Sequence, residues 1–161
     1  MENKNQIVIN RIFNAPVELI WKAWTDPEMA KKWWAPKDFT CSLIKIDFKV
    51  GGKNLNCMQG KMPDGKEVAV YSTGTYKEII PMEKIVMSDS FADKDGNIVP
   101  ASYYGMEEMS LELEVAVTFE NLGNQTKMVL THSGMQTVDD KMRTEMGQGW
   151  TQMFDKLDGI L

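Results

Sequence analysis

The chain has 161 residues, of which 43% are hydrophobic and 25% charged, and this composition predicts one globular domain over residues 1–161. Eighteen basic against 23 acidic residues give a net charge of −5, which argues against nucleic-acid binding because phosphate contacts require a basic surface. No segment approaches the ~18 consecutive apolar residues of a membrane span, and the first ten residues carry no apolar signal segment, so the expected location is the cytoplasm.

The N-terminal region predicts one strand followed by two short helices. The β-branched run Ile7–Phe13 is typical of a strand. Pro16 suits the first position of a helix, and apolar residues then recur with helical spacing as far as Trp24. We expect Asp26 to cap a second helix that begins at the next residue and ends near Lys32, because its carboxylate can accept a free backbone N–H of the first turn.

The middle of the chain, from Phe39 onward, predicts about six antiparallel strands. Gly51–Gly52 and Pro63–Gly65 are typical of the turns between them. The most regular strand is predicted over Ser110–Glu120, where apolar and polar residues alternate as far as Phe119. This alternation indicates a sheet with one buried face.

The last segment predicts one amphipathic helix of about six turns, because apolar residues from Val138 to Leu161 recur every three or four positions. Thr137 is the expected cap, with Asp140 three residues later as in a capping box. The apolar face of such a helix must be covered by the apolar face of the sheet.

The cysteines and methionines indicate what kinds of site and core the chain can form. Cys41 and Cys57 match no metal or redox spacing, so both are expected to be free and buried. Thirteen methionines are many for this length. Methionine adapts to irregular spaces, so the count indicates either a core that tolerates methionine or a pliable pocket.

Five stretches of the sequence, in this order, resemble a known superfamily. They are NRIFNAPVELIWKAWTDPEMAKKWWAP, DFKVGGK, GTYKEIIPMEKIVMSDSF, THSGM and GWTQMFDKL. They are similar to the SRPBCC (START/birch-allergen-like) superfamily, and within it to the branch related to the activator of the heat-shock-protein-90 ATPase. The resemblance extends from about Ile7 to Leu161.

The resemblance implies a helix-grip fold of the α+β class. In this fold a curved antiparallel sheet of about six or seven strands wraps around the long C-terminal helix, with two short helices after the first strand. Sheet and helix enclose a deep cavity. We therefore expect one of Trp33 and Trp34 to face that cavity, the alternative being that both pack the short helices onto the last helix.

The sequence predicts no catalytic residue, metal site or cofactor. His132 is the only histidine, on the same strand parity as Met128 and Leu130, and no G-x-S-x-G nucleophile motif occurs. Zinc requires several nitrogen or sulfur ligands, which one histidine and two separated cysteines do not supply. Weak acid–base catalysis by a buried Glu, Asp or Tyr stays open.

The candidate ligand-binding residues are soft or aromatic side chains on the last helix, on the strands and in the segment 99–109. Ligand pockets are mostly apolar with a few polar anchors, and His132, Tyr76 or Glu78 could supply such an anchor. Either Tyr71 or Ser72 is expected to face the cavity. The candidates are Trp33, Trp34, Met58, Tyr71, Tyr76, Met87, Tyr103, Tyr104, Met106, His132, Met146, Trp150 and Met153.

Three functions stay open on the sequence. The first is the binding of a small hydrophobic or aromatic molecule between the sheet and the last helix. The second is a single-domain protein-interaction module like the heat-shock ATPase activator, with a heat-shock chaperone as its partner. The third is a cyclase or hydrolase acting on an aromatic or lipid-like substrate. A monomer and a homodimer are equally compatible with the sequence.

Overall fold

The computed structural model describes residues 5–106 and 109–161. The elements are β1 (Gln6–Phe13), α1 (Val17–Thr25), α2 (Pro27–Ala30), β2 (Phe39–Ile46), β3 (Lys53–Lys61), β4 (Glu67–Ile80), β5 (Lys84–Ala92), a 3-10 helix (Ala101–Tyr104), β6 (Leu113–Asn121), β7 (Thr126–Ser133) and α3 (Asp140–Gly159). The strands form one antiparallel sheet in the order β1-β7-β6-β5-β4-β3-β2. The sheet curls as a half-barrel around α3, so the predicted helix-grip fold is confirmed. None of the helices in the described ranges is long and apolar enough to cross a membrane.

The two short helices lie where the sequence predicts them. Trp21 and Trp24 lie on the buried face of α1. The Asp26 carboxylate accepts a hydrogen bond from the backbone N–H of Glu28 at 3.1 Å, which confirms this residue as the cap of α2. The second helix ends at Ala30 rather than near Lys32, because the following residues continue as hydrogen-bonded turns instead of helix.

The strand predicted to begin at Ser110 begins three residues later. Leu113 is the first residue of β6, and it pairs with Asp89 of β5. From Leu113 to Phe119 the alternate residues are buried on the concave face, whereas Leu111 is 57% exposed. The alternation of apolar and polar residues therefore begins in the sequence before the paired strand does.

The cap of α3 differs from the sequence prediction. Asp139, not Thr137, precedes the first helical turn, and its carboxylate accepts a hydrogen bond from the backbone N–H of Met142 at 2.7 Å. The helix starts later because Met135 and Val138 are buried in a small second core, where the N–H of Val138 donates to the carbonyl of Met135 in a turn.

Loss of this cap is expected to destabilise the protein measurably. Asp139→Ala should lower the free energy of unfolding by about 1 kcal/mol, because a free N–H at the start of α3 loses its acceptor. Thr137→Ala is the matched control and should change it by less than about 0.5 kcal/mol. Urea titrations of both variants measure the difference, and a larger loss for Thr137→Ala would contradict the assignment.

The main core occupies only one end of the space between α3 and the sheet. Phe154 and Leu157, on the C-terminal half of α3, are fully buried with Trp24, Trp33 and other aromatic residues of the core. The N-terminal half of α3 carries no fully buried residue before Trp150. The other end of the space is therefore left for a cavity.

Candidate ligand-binding site

A cavity of about 380 Å³ lies between the N-terminal half of α3 and the concave face of the sheet. Its volume falls in the range of about 300–1,000 Å³ that is common for small-molecule sites. Its wall is formed by Trp34, Pro36, Phe39, Asn56, Met58, Val70, Ser72, Asp89, Phe91, Met106, Met109, His132, Met142, Glu145, Met146, Gly149, Trp150 and Met153.

Methionine is the most frequent residue type in this wall. Six of the chain's thirteen methionines line it, and four aromatic side chains join them. The thioether chain is flexible and polarisable, so such a wall can change shape around different apolar molecules. The high methionine content therefore has two explanations. The six methionines of the wall belong to the pocket, whereas Met128 and Met135 are fully buried in the packed cores. The six are Met58, Met106, Met109, Met142, Met146 and Met153.

The structure brings seven of the thirteen candidate residues together in the cavity wall. A contact between any of them and a ligand stays a prediction. The seven are Trp34, Met58, Met106, His132, Met146, Trp150 and Met153.

The adjacent tryptophans have different surroundings. Trp33 is fully buried, its indole N–H donates to the carbonyl of Ala23 at 3.0 Å, and it belongs to the core instead of the cavity wall. Trp34 is half-buried, and its ring meets that of Trp150 edge-on at a centroid distance of 5.6 Å. One tryptophan of the pair therefore borders the cavity and the other holds the short helices to the core.

Three candidate residues on the strands do not reach the cavity wall. Tyr76 and Met87 are cross-strand partners, 3% and 6% exposed, and they pack in the core below the cavity. Burial raises the pKa of Tyr76 to about 12, against a smaller lowering by its hydrogen bond to Asn54. Tyr71 lies on the opposite face of β4, because Val70 and Ser72 line the cavity and side chains alternate along a strand.

The two tyrosines of the 3-10 helix also lie outside the wall. Tyr103 is 59% exposed. The Tyr104 hydroxyl donates to the carbonyl of Ala92 at 2.5 Å and accepts from the N–H of Tyr71 at 3.0 Å. Since Tyr71 and Ala92 are paired residues of β4 and β5, this hydroxyl fastens the segment after β5 to the sheet. Tyr104 therefore positions a part of the wall without belonging to it.

Removal of that hydroxyl is expected to loosen the segment. Tyr104→Phe should lower the free energy of unfolding by about 1–3 kcal/mol, because it leaves a partly buried donor and a partly buried acceptor without a partner. Tyr103→Phe removes an exposed hydroxyl and serves as the control. Chemical denaturation of both variants gives the comparison, and equal losses would rule out the bridging role.

The polar part of the wall is organised around His132. The indole N–H of Trp150 donates to Nδ1 of His132 at 3.0 Å, so Nδ1 supplies a lone pair and the proton of the neutral ring lies on Nε2. Nε2 lies 2.9 Å from Oδ2 of Asp89, although too far off axis for an aligned hydrogen bond. Trp150 therefore fixes the orientation of a buried imidazole whose Nε2 lies beside a carboxylate.

Several acceptors in the wall lack donors. Within residues 5–106 and 109–161, the buried Oδ1 of Asn56 has no partner, and the Asp89 carboxylate has only the off-axis contact with His132. Glu145 adds a second carboxylate, while no lysine or arginine of the described chain lines the cavity. Sequence reasoning missed Asp89 and Asn56, since nothing in their local pattern distinguishes them from other polar strand residues.

The described residues contain no group of three or more His, Cys, Asp or Glu side chains placed to hold a metal ion. Cys41 and Cys57 are both buried and free. Burial raises the pKa of the Cys41 thiol.

Solved structures with similar folds span almost the whole chain. Protein CV1439 from Chromobacterium violaceum is 22% identical, with a TM-score of 0.77 over 98% of this chain and 97% of its own. A protein from Arthrobacter aurescens, solved by solution NMR, is 25% identical, with a TM-score of 0.76 over 97% of this chain and 85% of its own. The AHSA1 (SPO3351) protein from Silicibacter pomeroyi is 18% identical, with a TM-score of 0.70 over 96% and 95%. These similarities establish the fold.

Comparison with curated protein sequences yields no match. A family model, in contrast, covers most of the chain: the model described as Activator of Hsp90 ATPase homolog 1-like protein matches residues 14–161. This range contains both short helices, β2 to β7, α3 and every residue of the cavity wall. The chain therefore belongs to the family of Activator of Hsp90 ATPase homolog 1-like proteins (AHSA1).

Proposed function

We propose that this protein binds a small hydrophobic or aromatic molecule in the cavity between the sheet and α3. The observation that carries the proposal is the unfilled space of about 380 Å³ beside a tightly packed aromatic core. The space is partly open to solvent, so its apolar lining is exposed to water unless a ligand covers it, and such exposure is unfavourable. Burial of apolar ligand surface contributes roughly 25 cal/mol per Å² before ordering costs.

The proposed contact residues fall into two groups. Flexible methionines, with Trp34 and Trp150, would cover the apolar body of the ligand, because their side chains adjust to its shape. His132 would orient its polar end, because it is the buried histidine that Trp150 holds in place. The two free, buried thiols suit a reducing compartment, and we place the protein in the cytoplasm on that basis.

The family name supports a second candidate function, contact with a heat-shock chaperone. An acidic chain with a net charge of −5 is complementary to a basic partner surface. Contact with a protein partner, however, gives no physical reason for an open interior cavity. The cavity therefore favours ligand binding over a purely protein-interacting role.

Enzymatic action as a hydrolase or cyclase is disfavoured by the hydrogen bonding of His132. A general base needs a free lone pair directed at its substrate. The lone pair on Nδ1 is occupied by the indole N–H of Trp150, and the other nitrogen faces Asp89. His132 would have to break its bond to Trp150 before it could accept a proton from a nucleophile or a substrate.

A thermal-shift screen against neutral aromatic compounds, polyketides and lipids tests the proposal. A ligand at 100 times its Kd should stabilise the folded state by about 2.7 kcal/mol and raise the melting temperature by several degrees. The fluorescence of Trp34 and Trp150 should change over the same concentration range, because both border the cavity. No response to any class would contradict ligand binding, and capture of a heat-shock ATPase would then favour the interaction module.

A further inference from the structure

A smaller recess of about 50 Å³ lies beside the cavity and shares part of its wall. Asp89, Ser72, Phe91, Met109 and Met146 line both spaces. A volume of this size holds a water molecule or a small polar head group. An elongated ligand in the cavity can therefore extend one polar group into the recess.

The chemistry of the recess is that of an acceptor for hydrogen bonds and positive charge. The Asp89 side chain is 34% exposed, and its carboxylate is met by His132 Nε2, which lies 2.9 Å from Oδ2 but off the hydrogen-bond axis. Asn56, a residue only 3% exposed, lines the adjoining cavity, and its side-chain Oδ1 has no partner among the described residues. An ionised carboxylate can accept several hydrogen bonds, so the off-axis approach of His132 leaves most of that capacity unused.

The charges around the recess also favour a positively charged or donor group on the ligand. Glu145 adds a second negative charge to the cavity wall, and neither the cavity nor the recess is lined by a lysine or arginine of the described residues. Lys156 lies nearby, but its ammonium group donates to the carbonyls of Pro36 and Phe39 and is not part of the wall. The described lining thus carries two carboxylates and no lysine or arginine, and this negative charge would oppose an anionic ligand group.

We infer that the ligand carries a basic nitrogen or another strong hydrogen-bond donor, which binds in the recess against Asp89, while its apolar or aromatic body fills the methionine-lined cavity. This inference rests on the proposed function and specifies the class of ligand. An ammonium group meets a carboxylate in a charge-assisted hydrogen bond, which is about twice as strong as a neutral one. Trp34 and Trp150 supply faces on which an aromatic or cationic group packs well. Fatty acids and other carboxylates are disfavoured for the same reason.

Four naphthalene probes of nearly equal size test the inference by isothermal titration. They are 2-ethylnaphthalene, 2-naphthylmethanol, 2-naphthylmethylamine and 2-naphthoic acid. For the natural sequence we expect the amine to bind at least about tenfold more tightly than the acid, with the alcohol between them. Asp89→Asn should reduce the ratio of amine to acid to less than about threefold and leave the affinity for 2-ethylnaphthalene unchanged.

Asp95→Asn is the matched control, because it removes the same charge from an exposed residue of the turn after β5. It should retain the full preference for the amine. Equal binding of all four probes, tightest binding of the acid, or an unchanged preference in Asp89→Asn would overturn the inference and leave the proposed function standing. Failure of every probe, 2-ethylnaphthalene included, would overturn the proposed function as well.

Discussion

Substitution of Met146 by tryptophan is expected to abolish ligand binding without unfolding the protein. Met146 lies on the N-terminal half of α3 and lines both the cavity and the recess. An indole at this position would occupy space that is now open, so an apolar ligand would lose most of its buried surface. Affinity should fall by at least about tenfold, and filling the space should leave the free energy of unfolding unchanged or raise it by about 0.5–2 kcal/mol.

The matched control for this variant is Met62→Trp. Met62 is 45% exposed and lies in the turn between β3 and β4, outside the cavity wall. Titration of 2-ethylnaphthalene into both variants, with a thermal melt of each, separates occupation of the cavity from a general effect of the new indole. Full binding by Met146→Trp would show that ligands bind elsewhere.

The second large effect is expected at Trp33, on stability. Trp33 is fully buried, and its ring contacts Trp24 and Trp34 at centroid distances of 5.0 Å. Trp33→Ala should lower the free energy of unfolding by about 3–5 kcal/mol, because it leaves a large void and removes the hydrogen bond to Ala23. This is a large share of the ~5–15 kcal/mol that stabilises a typical domain.

Trp34→Ala provides the comparison within the same pair. Its ring borders the cavity, so its removal enlarges a space that already exists and creates no new void in the core. The free energy of unfolding is therefore expected to fall by only about 1–2 kcal/mol. Ligand affinity should fall instead. If Trp33→Ala proves too unstable to purify, Trp33→Phe retains most of the ring volume and should still be less stable than Trp34→Phe. A larger loss of stability at Trp34 would reverse the assignment of the two residues.

The fold was predictable from the sequence because its signals are local and agree with one another. Asp26 and Pro27 mark the second helix, and the alternation up to Phe119 marks the central strand. The cap of α3 was predicted two residues too early, because Thr137 and Asp139 both suit a cap and only the burial of Val138 decides between them. Such a choice depends on tertiary packing, which local patterns do not contain.

The site was predictable only in part, for a different physical reason. Residues on one face of α3, such as Met146 and Trp150, could be identified because helical periodicity shows which side is buried. Periodicity does not show whether the buried side meets a packed core or an open cavity. The same limit applies to the strands, where Tyr76 and Met87 were predicted to line the cavity but lie in the packed core. Asp89 was not identifiable, because its contact with His132 joins residues that are more than forty positions apart in the sequence.

The most direct test of the central claim is an NMR titration of protein with ¹³C-labelled methionine methyl groups against 2-ethylnaphthalene. The six methionines of the cavity wall should shift in a saturable manner, while Met62 and Met82, which are 45% and 38% exposed, should not. That pattern would show that the cavity admits an apolar ligand. Shifts at the exposed methionines alone, or no shift at a concentration near the probe's solubility limit, would contradict the account.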